Sequence, residues 1–230
     1  MKLVPRHHDL LLYQHAYSGG YDEYRREQIK WNRAKIDSVW ADRDTLAAIA
    51  ADIRSNKIAG RGLCHGARNG FEVRWFADAL DCPVLGTDIS ETAEQFENMV
   101  VHDFQEPRSE WAGKWDFIYT NSLDHAFNPR KALDIWADQL APKGRIYIEQ
   151  TMQHSPAGAS EMDPFGVHPM FFPYLVFEWG KGKYRLADIL HVDAVKRKGH
   201  VWVFVLEREP QAAGEREELL EESRHGASRN

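Results

Sequence analysis

Two acids in this chain stand where a nucleotide could be gripped. Asp88 closes the run Val84-Leu85-Gly86-Thr87-Asp88-Ile89, and Asp103 follows Val100-Val101-His102 with Phe104 beside it. Upstream lies the turn Gly62-Leu63-Cys64-His65-Gly66-Ala67-Arg68-Asn69-Gly70. A backbone passing from strand to helix approaches a ligand closely only where side chains are absent. Gly66 and Gly70 meet that need, and the helix start offers free N–H groups. An acid ending the second strand, 22 residues after Gly66, is placed to accept hydrogen bonds from two ribose hydroxyls. Asp103 can accept from an adenine amino group while Phe104 covers the base. Each signal also has a plainer reading. The turn can be an ordinary βα connection, Asp88 can cap a helix as Ser90 can, and Asp103 can be a solvated loop acid. Their order and spacing favour a nucleotide-type cofactor across the carboxyl ends of parallel strands.

Groups able to move a proton follow. Asn121-Ser122-Leu123-Asp124-His125 comes just after a fourth apolar run, and His154 and His168 lie further on. An imidazole titrates near neutrality, so His125, with Asp124 beside it, is a candidate general base. A capping or buried structural role for His125 is the alternative. His154 and His168 are further candidates facing an acceptor. No metal is expected, because His7, His8, His15, His154 and His168 show no ligand spacing.

The elements that must position these groups alternate between strand and helix. Residues 21–56 read as helical. Leu46, Ile49, Ala50 and Ile53 line one face behind a cap at Asp42 or Asp44, and Ile36, Val39 and Trp40 suggest an earlier helix. Strands are expected at Ile58 to Cys64, Val84 to Thr87, Val100 to His102, Phe117 to Thr120 and Arg145 to Gln150. Between them, one helix starts at Asn69 and buries Val73, Phe76, Ala77 and Leu80. Another starts at Asn128-Pro129 and buries Leu133, Trp136, Ala137 and Leu140. This alternation implies parallel strands joined by right-handed crossovers. Residues 151–184 break the rhythm with many Pro and Gly and the aromatic run Phe171 to Trp179. That run is a candidate substrate wall or lid, with a dimer contact or plain core as the alternative. Tyr21, Tyr24, Trp31 and Trp40 are placed to close over a cofactor from the other side. Residues 186–191 read as a short helix. Val192 to Lys196 and Val201 to Glu207 read as an antiparallel hairpin, and the Glu- and Arg-rich residues 210–230 as a mobile tail.

Composition narrows the classes. The chain has 230 residues, 43% hydrophobic, enough for one domain with a sizeable core. A net charge of −6 argues against a general nucleic-acid surface. Two cysteines, Cys64 and Cys82, suggest a reducing compartment without a disulfide framework. No signal peptide or bilayer-length apolar stretch is evident. A cytoplasmic protein that meets no membrane is expected, with a homodimer left open beside a monomer.

The ordered motifs resemble the class I S-adenosyl-L-methionine (AdoMet)-dependent methyltransferases, specifically their small-molecule, methyltransferase-11-like group. The resemblance covers residues 58–150 and, in outline, 192–207. It implies an α/β Rossmann-like sheet, mostly parallel with an antiparallel terminal hairpin, and helices on both faces. A helical extension over 1–56 and an aromatic-rich insertion after the fifth strand complete a single unit over 1–209. It also implies AdoMet as cofactor and a small-molecule acceptor. For the acceptor atom, a hydroxyl or carboxylate oxygen is the first expectation and nitrogen the second. Cys64, His65 and Gly66 match the first motif, which wraps the methionine part of the cofactor. Asp88 matches the ribose acid, Ile89 the apolar residue on the adenine, and Asp103 with Phe104 the adenine site. Asn121 and Ser122 match the fourth motif beside the reactive end. Asp116 matches a structural acid, and Pro142, Lys143 and Gly144 the loop before strand five. The chain departs from the family in three ways. Cys64 stands at the first glycine position, Ala67-Arg68-Asn69 stretches the spacing before Gly70, and no acid precedes Cys64 in the strand to hold the cofactor's amino group. A non-catalytic AdoMet- or nucleotide-binding module of the same fold is the alternative.

Overall fold

In the computed structural model the described residues are 11–58, 60–194 and 199–209. Their elements run β1 (Leu12–Gln14), α1 (Gly20–Ala34), α2 (Arg43–Ser55), β2 (Gly62–His65), α3 (Phe71–Leu80), β3 (Val84–Asp88) and β4 (Met99–Val101). There follow β5 (Trp115–Thr120), α4 (Pro129–Gln139), β6 (Leu140–Gln150), β7 (Phe165–Val167), α5 (Phe172–Trp179), β8 (Tyr184–Ala194) and β9 (Gly199–Arg208). Seven strands form the main sheet in the order β4-β3-β2-β5-β6-β9-β8, and β1 pairs with β7 in a small antiparallel sheet. From β4 to β6 all neighbours are parallel, while β9 is antiparallel to both β6 and β8. This is a mixed, mostly parallel Rossmann-like sheet.

Side-chain alternation along the strands divides the core in two. Leu63, Ile118, Ile146, Ile148, Phe204 and Leu206 face a layer that includes Leu133 and Trp136 of α4 and Phe172 and Leu175 of α5. Their neighbours Cys64, Phe117, Tyr119, Tyr147, Val203 and Val205 face Ile49 and Ile53 of α2 and Val73 and Phe76 of α3. Asp42 caps α2 by accepting from the Thr45 N–H at 3.0 Å. Asn128 caps α4 through the Lys131 N–H at 3.0 Å, with Pro129 in the first turn, where a missing N–H removes no helical bond.

Several sequence expectations need correction. Residues 186–191 are strand, not helix. A register shift between Leu186 and Asp188 breaks the two-residue alternation and so mimics helical spacing. Ile36, Val39 and Trp40 lie in the connection after α1, outside any helix. The first core strand begins at Gly62, not Ile58. Asp116 accepts from the Arg61 N–H at 2.7 Å, and a Cβ on Gly60 would sit 2.1 Å from Asp116 Oδ2, so this stretch is held by a carboxylate instead of a ladder. The helix after the glycine turn begins at Phe71, not Asn69. The aromatic run is largely α5. Its Phe172, Leu175 and Val176 are buried, and Phe172 packs edge-on to Phe204 at 4.9 Å. The tail over 210–230 lies outside the described residues.

Candidate functional site

In the main sheet the chain winds outward from β2 in one direction and from β5 in the other. At such a switch point the loops leaving adjacent strands part and open a crevice at their carboxyl ends. Here those loops are Gly66 to Gly70 after β2 and Asn121 to His125 after β5. Gly66 has φ +69°, and a Cβ there would lie 2.6 Å from the Ser122 side chain, so the close approach of the two loops requires glycine. Ser122 Oγ donates to the Gly66 carbonyl at 3.2 Å, and Thr120 Oγ1 donates to the His65 carbonyl at 3.0 Å. Gly70, at φ +67°, sits in the N-cap position of α3.

A narrow cleft of about 50 Å³ opens over this crevice, walled by Gly66, Asp88, Ile89, Asp103, Phe104, Ser122 and His125 below and by α1 above. Asp88 is buried. It accepts from the Arg68 N–H at 3.1 Å and the Ser90 N–H at 3.0 Å, and burial raises its pKa above the ordinary carboxylate value. Ser90, not Asp88, caps the short helix at Glu91–Gln95. Asp103 accepts from the Tyr21 hydroxyl and from the Gln105 N–H at 2.9 Å. On the α1 side, the buried donors Trp31 Nε1 and Asn32 Nδ2 have no hydrogen-bond partner among the described residues. Tyr24 and Trp31 line the cleft as well.

A second cavity of about 300 Å³ adjoins the first, and the two share Lys35, Gly66, Arg68, Ser122 and His125. Its wall also includes Trp40, Glu72, Asn121, Asp124, His154 and Asp163. Two His–carboxylate pairs lie here. His125 Nε2 lies 3.5 Å from Asp163 Oδ1, and His154 Nε2 lies 3.8 Å from Asp124 Oδ2. Burial raises the pKa of Asp163, and neighbouring Asp124 adds to the effect. Glu72, in the first turn of α3, is buried, and desolvation pushes its pKa up to about 7.

Gly66, Asp88, Ile89, Asp103, Phe104, Asn121, Ser122, Asp124, His125 and His154 are therefore brought together in one cleft system. Cys64 and His65 line neither cavity. The Cys64 side chain lies in the core beneath α3, where burial pushes the thiol well up. His65 is also buried. Its Nδ1 meets Thr87 Oγ1 at 3.0 Å, its Nε2 meets Gln139 Oε1 at 3.0 Å, and its ring stacks on Trp136 at 5.2 Å. The aromatic run and His168 line neither cavity. The wall that residues 151–184 supply comes instead from Gln153, His154, Gly158, Met162 and Asp163. Sequence reasoning missed Glu72, Asp163 and Gln28. Only Glu72 carried a local signal, as an acid two residues after the last glycine of the turn.

No protein-family model matches the chain, and a search of curated proteins finds no match. Among solved structures it is similar to the 1,6-didemethyltoxoflavin-N1-methyltransferase of Burkholderia thailandensis, crystallised with 1,6-didemethyltoxoflavin and S-adenosylhomocysteine. The TM-score is 0.65 at 16% identity, over 86% of this chain and 94% of that one. It is also similar to the N-methyltransferase NodS of Bradyrhizobium japonicum, with S-adenosylhomocysteine bound, at TM-score 0.57 and 12% identity over 80% and 99%. A SAM-dependent methyltransferase of Leishmania major gives 0.60 at 11% identity over 80% and 83%. The chain thus has the class I methyltransferase fold.

Proposed function

We propose that this chain transfers a methyl group from AdoMet to an oxygen atom of a small-molecule acceptor. The observation that carries the reading is the convergence of Gly66, Asp88 and Asp103 on a cleft at the sheet's switch point, with a second cavity of titratable groups adjoining it. The residues fit the cofactor. Asp88 keeps lone pairs for the ribose hydroxyls, since an ionised carboxylate offers about four acceptor sites and two are used. Asp103 already accepts from the Tyr21 hydroxyl and from the Gln105 N–H and Nε2, which leaves about one acceptor site for an adenine amino group. The unpartnered donors Trp31 Nε1 and Asn32 Nδ2 suit the acceptor atoms of a base or ribose. Glu72 takes the place of the acid missing before Cys64, offering a buried carboxylate beside the glycine turn to the cofactor's ammonium group.

When bound, AdoMet supplies a methyl carbon on a sulfonium. The protein's share is to align an acceptor with that carbon and exclude water, worth up to about 7–11 kcal/mol. The acceptor is placed in the second cavity. A hydroxyl there must lose its proton, and His125 is positioned to take it, with Asp163 stabilising the resulting imidazolium at 3.5 Å. The His154–Asp124 pair lies beside it in the same cavity wall. A base of this kind serves a hydroxyl acceptor, and it would serve a protonated amine as well, so the choice of oxygen rests on the test below.

The test is incubation with methyl-labelled AdoMet and a panel of hydroxylated and amine small molecules. Label in a hydroxylated product supports the reading. Label in amines alone overturns the choice of oxygen. AdoMet binding without transfer to any acceptor would favour a non-catalytic binding module.

A further inference from the structure

The second cavity holds an arrangement that neutral side chains leave unbalanced. One ligand atom each from Asp124, His125 and Asp163 can be chosen so that all lie within 4.8 Å of one another. Hydrogen bonding fixes what each presents. Gln28 Nε2 donates to the Met162 carbonyl at 3.0 Å, so its Oε1 is the atom 3.0 Å from His125 Nδ1. That contact needs the proton on Nδ1, which leaves Nε2 of a neutral ring as a bare lone pair. This lone pair meets Asp163 Oδ1 at 3.5 Å, acceptor against acceptor. The third member, Asp124, has a buried Oδ1 without a hydrogen-bond partner among the described residues. One imidazole nitrogen and two carboxylates thus come within 4.8 Å of one another at the cavity wall.

We infer that Asp124, His125 and Asp163 form a binding site for a divalent metal cation. The donor set, one imidazole nitrogen and two carboxylate oxygens, suits a hard or borderline divalent ion, and its two negative charges match the ion's two positive ones. Outer groups already orient the ligands, as metal sites require. Gln28 fixes the His125 tautomer. The Thr151 N–H donates to His154 Nδ1 at 2.8 Å, and His154 Nε2 lies 3.8 Å from Asp124 Oδ2. Three protein ligands leave coordination positions open toward a cavity of about 300 Å³. An acceptor molecule with a hydroxyl or carboxylate oxygen can occupy them. The inference rests on the acceptor reading above for its chemical purpose and replaces one step of it: with a cation bound, His125 is a ligand and the cation, in place of the imidazole, would favour the ionised acceptor oxygen.

The site is tested by titrating the metal-stripped full chain with Mn²⁺ in the absence of AdoMet, read by calorimetry and by electron paramagnetic resonance. One equivalent should bind in the micromolar to sub-millimolar range, with nitrogen modulation from one imidazole. Asp163→Asn should weaken binding at least tenfold while the circular dichroism spectrum stays unchanged. His125→Gln should abolish the nitrogen modulation, so a poorly folding Asp163 variant would not leave the result open. Absence of Mn²⁺ binding at millimolar concentration, or binding that both substitutions leave intact, would overturn the inference. Because no cofactor is present in this titration, its failure is separable from failure of the AdoMet reading.

Discussion

His65 and His125 follow neighbouring parallel strands at the same end of the sheet, yet their surroundings are opposite. His65 ends β2 and pairs in register with Thr120, the last residue of β5. Both its ring nitrogens have partners, its ring stacks on Trp136, and desolvation pushes its pKa down to about 3. His125, five residues beyond Thr120, has one nitrogen anchored by Gln28 and the other turned to a carboxylate at a cavity wall. A buried polar group whose bonds are all made contributes to uniqueness and stability. One whose bonds are half made is a reserve for something that binds. Proximity to the glycine turn therefore does not bring a histidine to the cleft, and the function proposed above rests on the ring that keeps one nitrogen turned to a cavity wall.

The sharpest way to break this contrast is to truncate both rings. His125→Ala should lower turnover by roughly 10²–10⁴-fold, measured with the acceptor found in the labelled-methyl screen. It should cost less than about 1 kcal/mol of stability. Turnover within threefold of the parent would remove His125 from the chemistry. His65→Ala should do the reverse, costing about 2–4 kcal/mol in denaturant unfolding through lost packing and two orphaned partners. A His65 variant as stable as the parent would show that its network carries no weight.

Glu72 sharpens the comparison from the side of charge. It is a buried carboxyl kept without a counter-ion strong enough to restore its ordinary pKa. Glu72→Gln should weaken binding of S-adenosylhomocysteine, which carries the ammonium group, by roughly 10-fold. The same change should raise the stability of the ligand-free protein at pH 8 by about 1–2 kcal/mol, because a buried charge is removed. Unchanged affinity would detach Glu72 from the amino group.

The smallest effect expected is in the pH dependence of stability, where the two groups oppose each other. The folded pKa of His65 is lowered from 6.5 to about 3, so between these values the unfolded chain binds the extra proton and acid destabilises the fold. The folded pKa of Glu72 is raised from 4.5 to about 7, so over that range the native state binds the extra proton and stability falls as pH rises. The two slopes partly cancel between pH 4.5 and 6.5, leaving the His65 loss to emerge below about 4.5. In Glu72→Gln the cancellation should vanish, and stability should climb with pH from about 3 to 6.5. A variant profile parallel to the parent's would contradict the Glu72 assignment, and a variant whose stability stays flat between pH 3 and 6.5 would contradict that of His65.

The sequence made the scaffold readable where one short motif dictates one local geometry. The caps at Asp42 and Asn128, the strand-to-helix turn at Gly66 to Gly70 and the acids after β3 and β4 are of this kind. It misled where local pattern and tertiary context disagree. A register irregularity gave β8 helical spacing, and the apolar residues of α5 looked like a substrate wall while serving the core. Asp163 and Gln28 were not legible at all. Their roles depend on the segment after β6 and helix α1 folding back over the loop that holds His125, a meeting of residues 97 and 38 positions from it along the chain.

The central claim is that the cleft over Gly66, Asp88 and Asp103 is an AdoMet site. Its most direct test is calorimetric titration of S-adenosylhomocysteine into the parent chain and into Asp88→Ala. Micromolar binding to the parent, weakened at least tenfold in a folded variant, is the predicted result. No binding to a folded parent, or equal binding to both, would contradict the account.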